Sequence, residues 1–111
     1  MVNVFTSDEF HAWYGELDKA AKRDVARVVD QLESRGVALG FPLSSEIKGT
    51  KFPFRELRVQ SNGRPIRVIY AFDPERDAYL IIGGDKTGDA RFYERIVREA
   101  EKIWTGYLSS R

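Results

Sequence analysis

The side chains in this sequence whose types and spacing suggest chemistry are basic. Between Lys48 and Arg67 the bases Lys48, Lys51, Arg55, Arg58, Arg64 and Arg67 are opposed by one acid, Glu56. Acids elsewhere concentrate in the helical ends of the chain, so the formal charge of all 111 residues is only +1. That sum argues against a protein that coats nucleic acid through bulk electrostatics. The local excess still predicts a positive surface. Guanidinium groups bind phosphate in a forked geometry and stay charged at any working pH. A cluster of them stabilises charge on a transferring phosphoryl group without a metal.

Strand alternation sorts these charges, because successive side chains point to opposite faces. In Phe54 to Gln60, Leu57 and Val59 share a face with Arg55, which falls at the rim, while Glu56 and Arg58 share the other. In the next apolar run Ile66, Val68, Tyr70 and Phe72 form one face, and Arg67, Ile69 and Ala71 the opposite one. Arg58 and Arg67 are thus expected on neighbouring strands and on one face, away from the main core. A third run, Tyr79-Leu80-Ile81-Ile82, is apolar on both faces and reads as a central strand that delivers Gly83-Gly84-Asp85-Lys86 to the same region. Tyr93 lies one turn into the helix beyond, where a phenol could stack on a base or exchange a proton. Against this stands a plainer reading, in which Arg58, Arg67 and Lys86 are solvated charges that discourage edge pairing and Tyr93 is core.

Other chemistries find little support. The chain has no cysteine and one histidine, His11, so no thiolate nucleophile exists, no metal or other cofactor is expected, and His11 reads as a surface residue. Gly83-Gly84-Asp85-Lys86-Thr87-Gly88 lacks the spacing of a nucleotide-binding P-loop. No stretch approaches a membrane span, and the first residues lack the basic start and apolar centre of a signal peptide, so a cytoplasmic protein is expected.

The elements that must position these residues follow from periodicity. Val2 to Phe5 alternates like a short strand, and Thr6 and Glu9 have the spacing of a capping box. Apolar residues then recur at helical spacing, which predicts a hairpin of helices over Ser7 to Leu17 and Lys19 to Arg35. A turn-rich connection runs from Gly36 to Pro42, with room for an edge segment near Ser45. Strands over Phe54–Gln60, Ile66–Phe72 and Ala78–Ile82, joined by short turns, predict an antiparallel meander. Phe92, Tyr93, Ile96, Val97, Ala100, Ile103, Trp104 and Tyr107 mark a final amphipathic helix. The expected fold is a single α+β domain over residues 1–111 in the order β-α-α-β-β-β-α.

That order, with Glu46-Ile47-Lys48-Gly49 ahead of Phe54-Arg55-Glu56-Leu57-Arg58, then Ile66-Arg67-Val68-Ile69-Tyr70 and Gly83-Gly84-Asp85-Lys86-Thr87-Gly88, resembles the RelE/ParE toxin superfamily. More narrowly it resembles the phage-derived, HigB-like branch of type II toxin–antitoxin systems. The resemblance implies a microbial RNase fold, with the helical hairpin and the C-terminal helix packed on one face of a curved antiparallel sheet. It further implies a ribosome-dependent, metal-independent messenger RNA endonuclease that inhibits translation, and a helix-turn-helix antitoxin of the HigA type as partner. Arg58, Arg67, Lys86 and Tyr93 match the positions of the family's catalytic residues, and Lys48, Lys51, Arg55 and Arg64 extend the expected RNA-binding surface. One departure stands out: RelE-type toxins carry a lysine two residues before the position of Arg58, where this chain has Glu56. Glu56 is therefore a candidate general base. The resemblance leaves two alternatives, a ParE-like inhibitor of DNA gyrase and a non-toxic protein-binding domain on the same fold.

Overall fold

The computed structural model describes residues 1–111. In chain order the elements are β1 (Val4–Thr6), α1 (Asp8–Gly15), α2 (Lys19–Arg35), a 3₁₀ turn (Gly36–Ala38), β2 (Ser44–Glu46), β3 (Arg55–Ser61), β4 (Arg64–Phe72), β5 (Ala78–Asp85) and α3 (Phe92–Ser109). This is the α+β order expected, and the edge strand near Ser45 is present as β2. No helix is long and apolar enough to cross a membrane.

Local chemistry sets the boundaries. Ser7, rather than Thr6, caps α1: its Oγ accepts the Phe10 amide at 2.8 Å while its hydroxyl donates to the Ile81 carbonyl at 2.5 Å. The cap therefore also ties α1 to β5. Asp18 caps α2 by accepting the Ala21 amide at 2.8 Å. The β3–β4 turn places Asn62 and Gly63 at positive φ, 50° and 78°, as a two-residue hairpin with right-handed strands requires.

The sheet has the order β1-β5-β4-β3-β2. The meander is antiparallel, but β1 joins β5 in parallel, so the sheet is mixed. Helices also cover both faces, where one face was expected. On the first face Leu57, Val59, Ile66, Val68, Tyr70 and Leu80 pack against Phe10 of α1 and Ala21, Val25, Val28 and Leu32 of α2. On the second, Phe54, Ile69, Ala71, Tyr79 and Ile81 pack against Phe92, Ile96, Ala100 and Trp104 of α3. The reason lies in β4 and β5, whose apolar runs would leave one hydrophobic face wet if all helices lay on the other. The face that carries Arg58 and Arg67 is thus the face α3 covers in part.

Two glycines let the helices approach. A register shift pairs Ile69 with Ile82 and Tyr70 with Leu80, leaving Ile81 as the extra residue. Beyond it Gly83 faces α1 and Gly84 faces α3. A Cβ on Gly83 would fall 2.3 Å from the Trp13 ring, and one on Gly84 would fall 2.8 Å from Phe92.

The far end of α3 is pinned to the β4–β5 turn. The buried Asp73 accepts the amides of Glu75 and Asp77 at 2.9 and 3.0 Å, the Tyr107 hydroxyl at 2.9 Å and Arg111 Nη1 at 3.0 Å. Burial opposes ionisation of Asp73, but these donors outweigh it and hold its carboxyl below 3.8.

Two expectations follow. Gly83→Ala should lower stability by about 1–3 kcal/mol in urea unfolding, the usual cost of overpacking. Combined with Trp13→Ala it should cost less than the two single losses added. Asp73→Asn should lose about 1–3 kcal/mol at neutral pH. Because the folded pKa is depressed, the wild-type advantage is complete above the unfolded pKa near 3.8 and disappears as pH falls through the folded value. Unfolding curves of the two proteins should converge in acid.

Candidate functional site

Glu56 is the centre of the site. It stands on β3 opposite Ser45 of β2 and Ile69 of β4, on the α3 face. It is 5% exposed. Both its oxygens are engaged. Oε1 accepts the Tyr93 hydroxyl at 2.6 Å and lies 3.5 Å from Arg67 Nε; Oε2 accepts Ser45 Oγ at 2.9 Å and Arg58 Nη1 at 3.3 Å. Partners on β2, β3, β4 and α3 fix the carboxylate in place.

One step along the same face is the row Arg58, Arg67, Gly84, directly opposite one another on β3, β4 and β5. Two like charges side by side in a sheet repel. Glu56 offsets that repulsion because both guanidinium groups reach it. Arg67 is 4% exposed. Its Nη1 donates to the Ile66 carbonyl at 3.1 Å, but its Nε makes no hydrogen bond. That nitrogen instead faces Glu56 Oε1 as an ion pair at 3.5 Å, so the buried guanidinium is held between the carboxylate and the Ile66 carbonyl.

Tyr93 reaches the site from the first turn of α3, which can lie this close because Gly84 beneath Phe92 has no side chain. Burial pushes its phenol upward and Glu56 adds to the effect, against an opposing pull from Arg67. The phenol therefore stays protonated at neutral pH and acts as a donor. Lys86, just past β5, holds its ammonium 5.3 Å from the centre of the Tyr93 ring.

All five residues expected at the catalytic site thus lie together: Glu56, Arg58, Arg67, Lys86 and Tyr93. The other bases do not join them. Arg55 turns to the hairpin face, where Nε donates to the Tyr70 hydroxyl and Nη2 to the Leu39 carbonyl, both at 3.3 Å. Arg64 donates to Asp18 at 2.9 Å and to the Ser61 carbonyl at 3.2 Å, joining the β-turn to the start of α2. Both therefore make structural contacts away from the cluster. Lys48 and Lys51 are exposed on the β2–β3 loop, which is anchored beside the middle of α3 by Thr50 donating to Glu101 at 2.7 Å. They sit apart from the cluster.

Sequence reasoning passed over two contributors. Ser45 binds the central carboxylate, and only strand pairing reveals it. Phe41 places its ring 5.3 Å from the Arg58 guanidinium. It belongs to a groove of about 680 Å³ between α2, the 40–43 segment and β3, which Arg58 and Arg67 also line. Chemically, three cations against one committed carboxylate, at the mouth of a groove, suit a phosphodiester more than a neutral ligand.

Comparison with known proteins agrees with the fold and the sequence pattern. Residues 12–105 match the family model of the phage-derived Gp49-like proteins. The chain is 35% identical over 109 residues to toxin HigB3 of Mycobacterium tuberculosis, covering 96% of this chain and 94% of that protein. It is 31% identical over 105 residues to toxin HigB2 of the same organism, covering 92% of this chain but only 52% of that protein, so it spans about half the length of that relative. Among solved structures it resembles a doubly substituted E. coli toxin RelE in the free state, with a TM-score of 0.60 at 12% identity, over 87% of this chain and 96% of that one. At that identity the likeness speaks for the fold alone.

The geometry around Glu56 predicts a specific hierarchy of damage. Glu56→Ala strands the buried Arg67 charge and should cost about 3–5 kcal/mol in urea unfolding. Glu56→Gln keeps the shape and one acceptor oxygen, for Tyr93 or Ser45, with its amide nitrogen turned to the other hydroxyl, and should cost less. Equal losses in the two variants would show that the charge pairing carries no weight.

Proposed function

The chain belongs to the phage-derived Gp49-like family of RelE/HigB-type proteins, and from that premise we propose that it is the toxin of a type II toxin–antitoxin system. Its activity is metal-independent endonucleolytic cleavage of messenger RNA on the ribosome, in the cytoplasm. A HigA-like helix-turn-helix antitoxin holds it silent. The observation that carries this reading is the convergence of Arg58, Arg67 and Lys86 beside Tyr93, with Glu56 as the one acid that pairs both arginines. The names borne by the mycobacterial relatives support the toxin assignment.

In the proposed reaction the 2′-hydroxyl of the RNA attacks the adjacent phosphorus and the bond to the 5′-oxygen breaks. A 2′,3′-cyclic phosphate and a 5′-hydroxyl result, the proton lost from the 2′-oxygen being balanced by one gained at the 5′-oxygen. Arg58 and Arg67 take the non-bridging oxygens and neutralise the charge that builds there. Lys86 and Tyr93, which pack against each other, serve as proton donors, one for the leaving oxygen and one for orientation. Glu56 serves as a positioning residue. Both of its oxygens already accept hydrogen bonds, which leaves it little capacity as a base.

Primer extension on messages after brief induction tests this. Cuts are expected within translated frames, together with arrested growth. Arg67→Ala and Lys86→Ala should each reduce cleavage about 10²-fold or more while still binding the antitoxin. Accumulating DNA breaks without RNA cuts would transfer the assignment to gyrase inhibition, and full toxicity in both variants would sink the site.

A further inference from the structure

Phe41 is 76% exposed, among the largest apolar surfaces on the molecule. Its neighbours give that exposure a direction. The ring lies 5.3 Å from the guanidinium carbon of Arg58, whose Nη1 is simultaneously held by Glu56 at 3.3 Å. Arg58 therefore touches the phosphate-binding cluster on one side and an aromatic ring on the other. From the ring the 680 Å³ groove continues over Val28, Leu43 and Val59 and reaches Arg67. Its volume falls within the roughly 300–1,000 Å³ typical of small-ligand sites.

We propose that Phe41 is the stacking platform for a nucleobase next to the scissile phosphate, with Arg58 joining the base subsite to the phosphate subsite. This deepens the RNA-cleaving reading above and rests on it. A phosphate seated on Arg58 and Arg67 leaves the attached nucleoside within one nucleotide of Phe41, and a base has a flat π-face to offer. Stacking on an exposed aromatic is how proteins hold unpaired bases, whatever their sequence. The charges favour RNA over an apolar peptide. The groove carries Arg27, Arg58 and Arg67 against one acid, Asp24, and that acid is already paired to Arg27 at 2.9 Å.

The test uses bacterial ribosomes programmed with a short message whose decoded codon carries 2-aminopurine and a 2′-deoxy sugar that blocks attack. Wild-type protein should bind and quench the fluorophore at one codon position. Phe41→Ala should abolish that quenching and weaken binding about tenfold, and Phe41→Trp should keep both. Cleavage of the all-ribose message should fall in parallel, with the thermal midpoint unchanged because the ring is exposed.

Equal quenching and affinity in wild type and Phe41→Ala would overturn the stacking site while leaving the nuclease reading intact. So would a Phe41→Leu variant that restores binding and cleavage, since leucine has no π-face. A Phe41→Ala variant that loses only antitoxin binding would reassign the ring to a protein contact and overturn the proposal as well. Absence of any binding by the wild type, with no cuts in cells, would instead remove the RNA reading itself.

Discussion

The arrangement of the site depends on one buried carboxylate. Arg58 and Arg67 stand directly opposite on adjacent strands, an unfavourable pairing for like charges. Glu56 reaches both, at 3.3 and 3.5 Å. At a separation of 4 Å each attraction is worth about 4 kcal/mol in an effective dielectric of 20, and desolvating each buried ion costs several kcal/mol. The two nearly cancel, so the cluster adds little net stability. Its value is geometric: it fixes two guanidinium groups side by side on one face of the sheet.

The same carboxylate decides where α3 goes. Tyr93 bonds Glu56 at the helix start, and Tyr107 bonds Asp73 near its end. Between these polar anchors the apolar stripe of α3 covers the second face of β4 and β5. Gly84 completes the fit, since any side chain there would push Phe92, and with it Tyr93, off the sheet. Packing on one face and chemistry on that same face are therefore coupled. A shift of α3 along β5 would change the distance between the phenol and the carboxylate directly.

Much of this was legible in the sequence, and the exceptions have physical causes. Alternation alone put Arg58 and Arg67 on one face and Arg55 on the other, because a strand's period of two is rigid. The apolar run Tyr79 to Ile82 announced a strand buried on both sides. What alternation cannot give is the partner of a long side chain. Arg55 and Arg64 read as bases of the RNA surface, and their contacts with Tyr70, Leu39 and Asp18 join residues far apart in the chain, which no local pattern reveals. Ser45 and Phe41 escaped notice for a related reason: a short edge strand and a turn-rich segment have no periodicity from which to read a face. The side covered by α3 was missed because amphipathicity shows that a helix has an apolar stripe without showing which apolar surface it meets.

The site is rich in donors and poor in free acceptors, and this bears on how the proposed cleavage could work. Tyr93 is held protonated, and Glu56 has both oxygens engaged. Neither is well placed to take the proton from an attacking 2′-hydroxyl. A general base contributes about 3–5 kcal/mol to a typical enzymatic step. Holding the nucleophile in line with its target contributes about 7–11 kcal/mol. A protein that stabilises phosphoryl charge but lacks an available base can therefore still be effective, provided the RNA arrives with its sugar and phosphate already aligned. A message held on the ribosome is RNA in a fixed geometry, so on this reading dependence on the ribosome follows from the chemistry the chain itself leaves out.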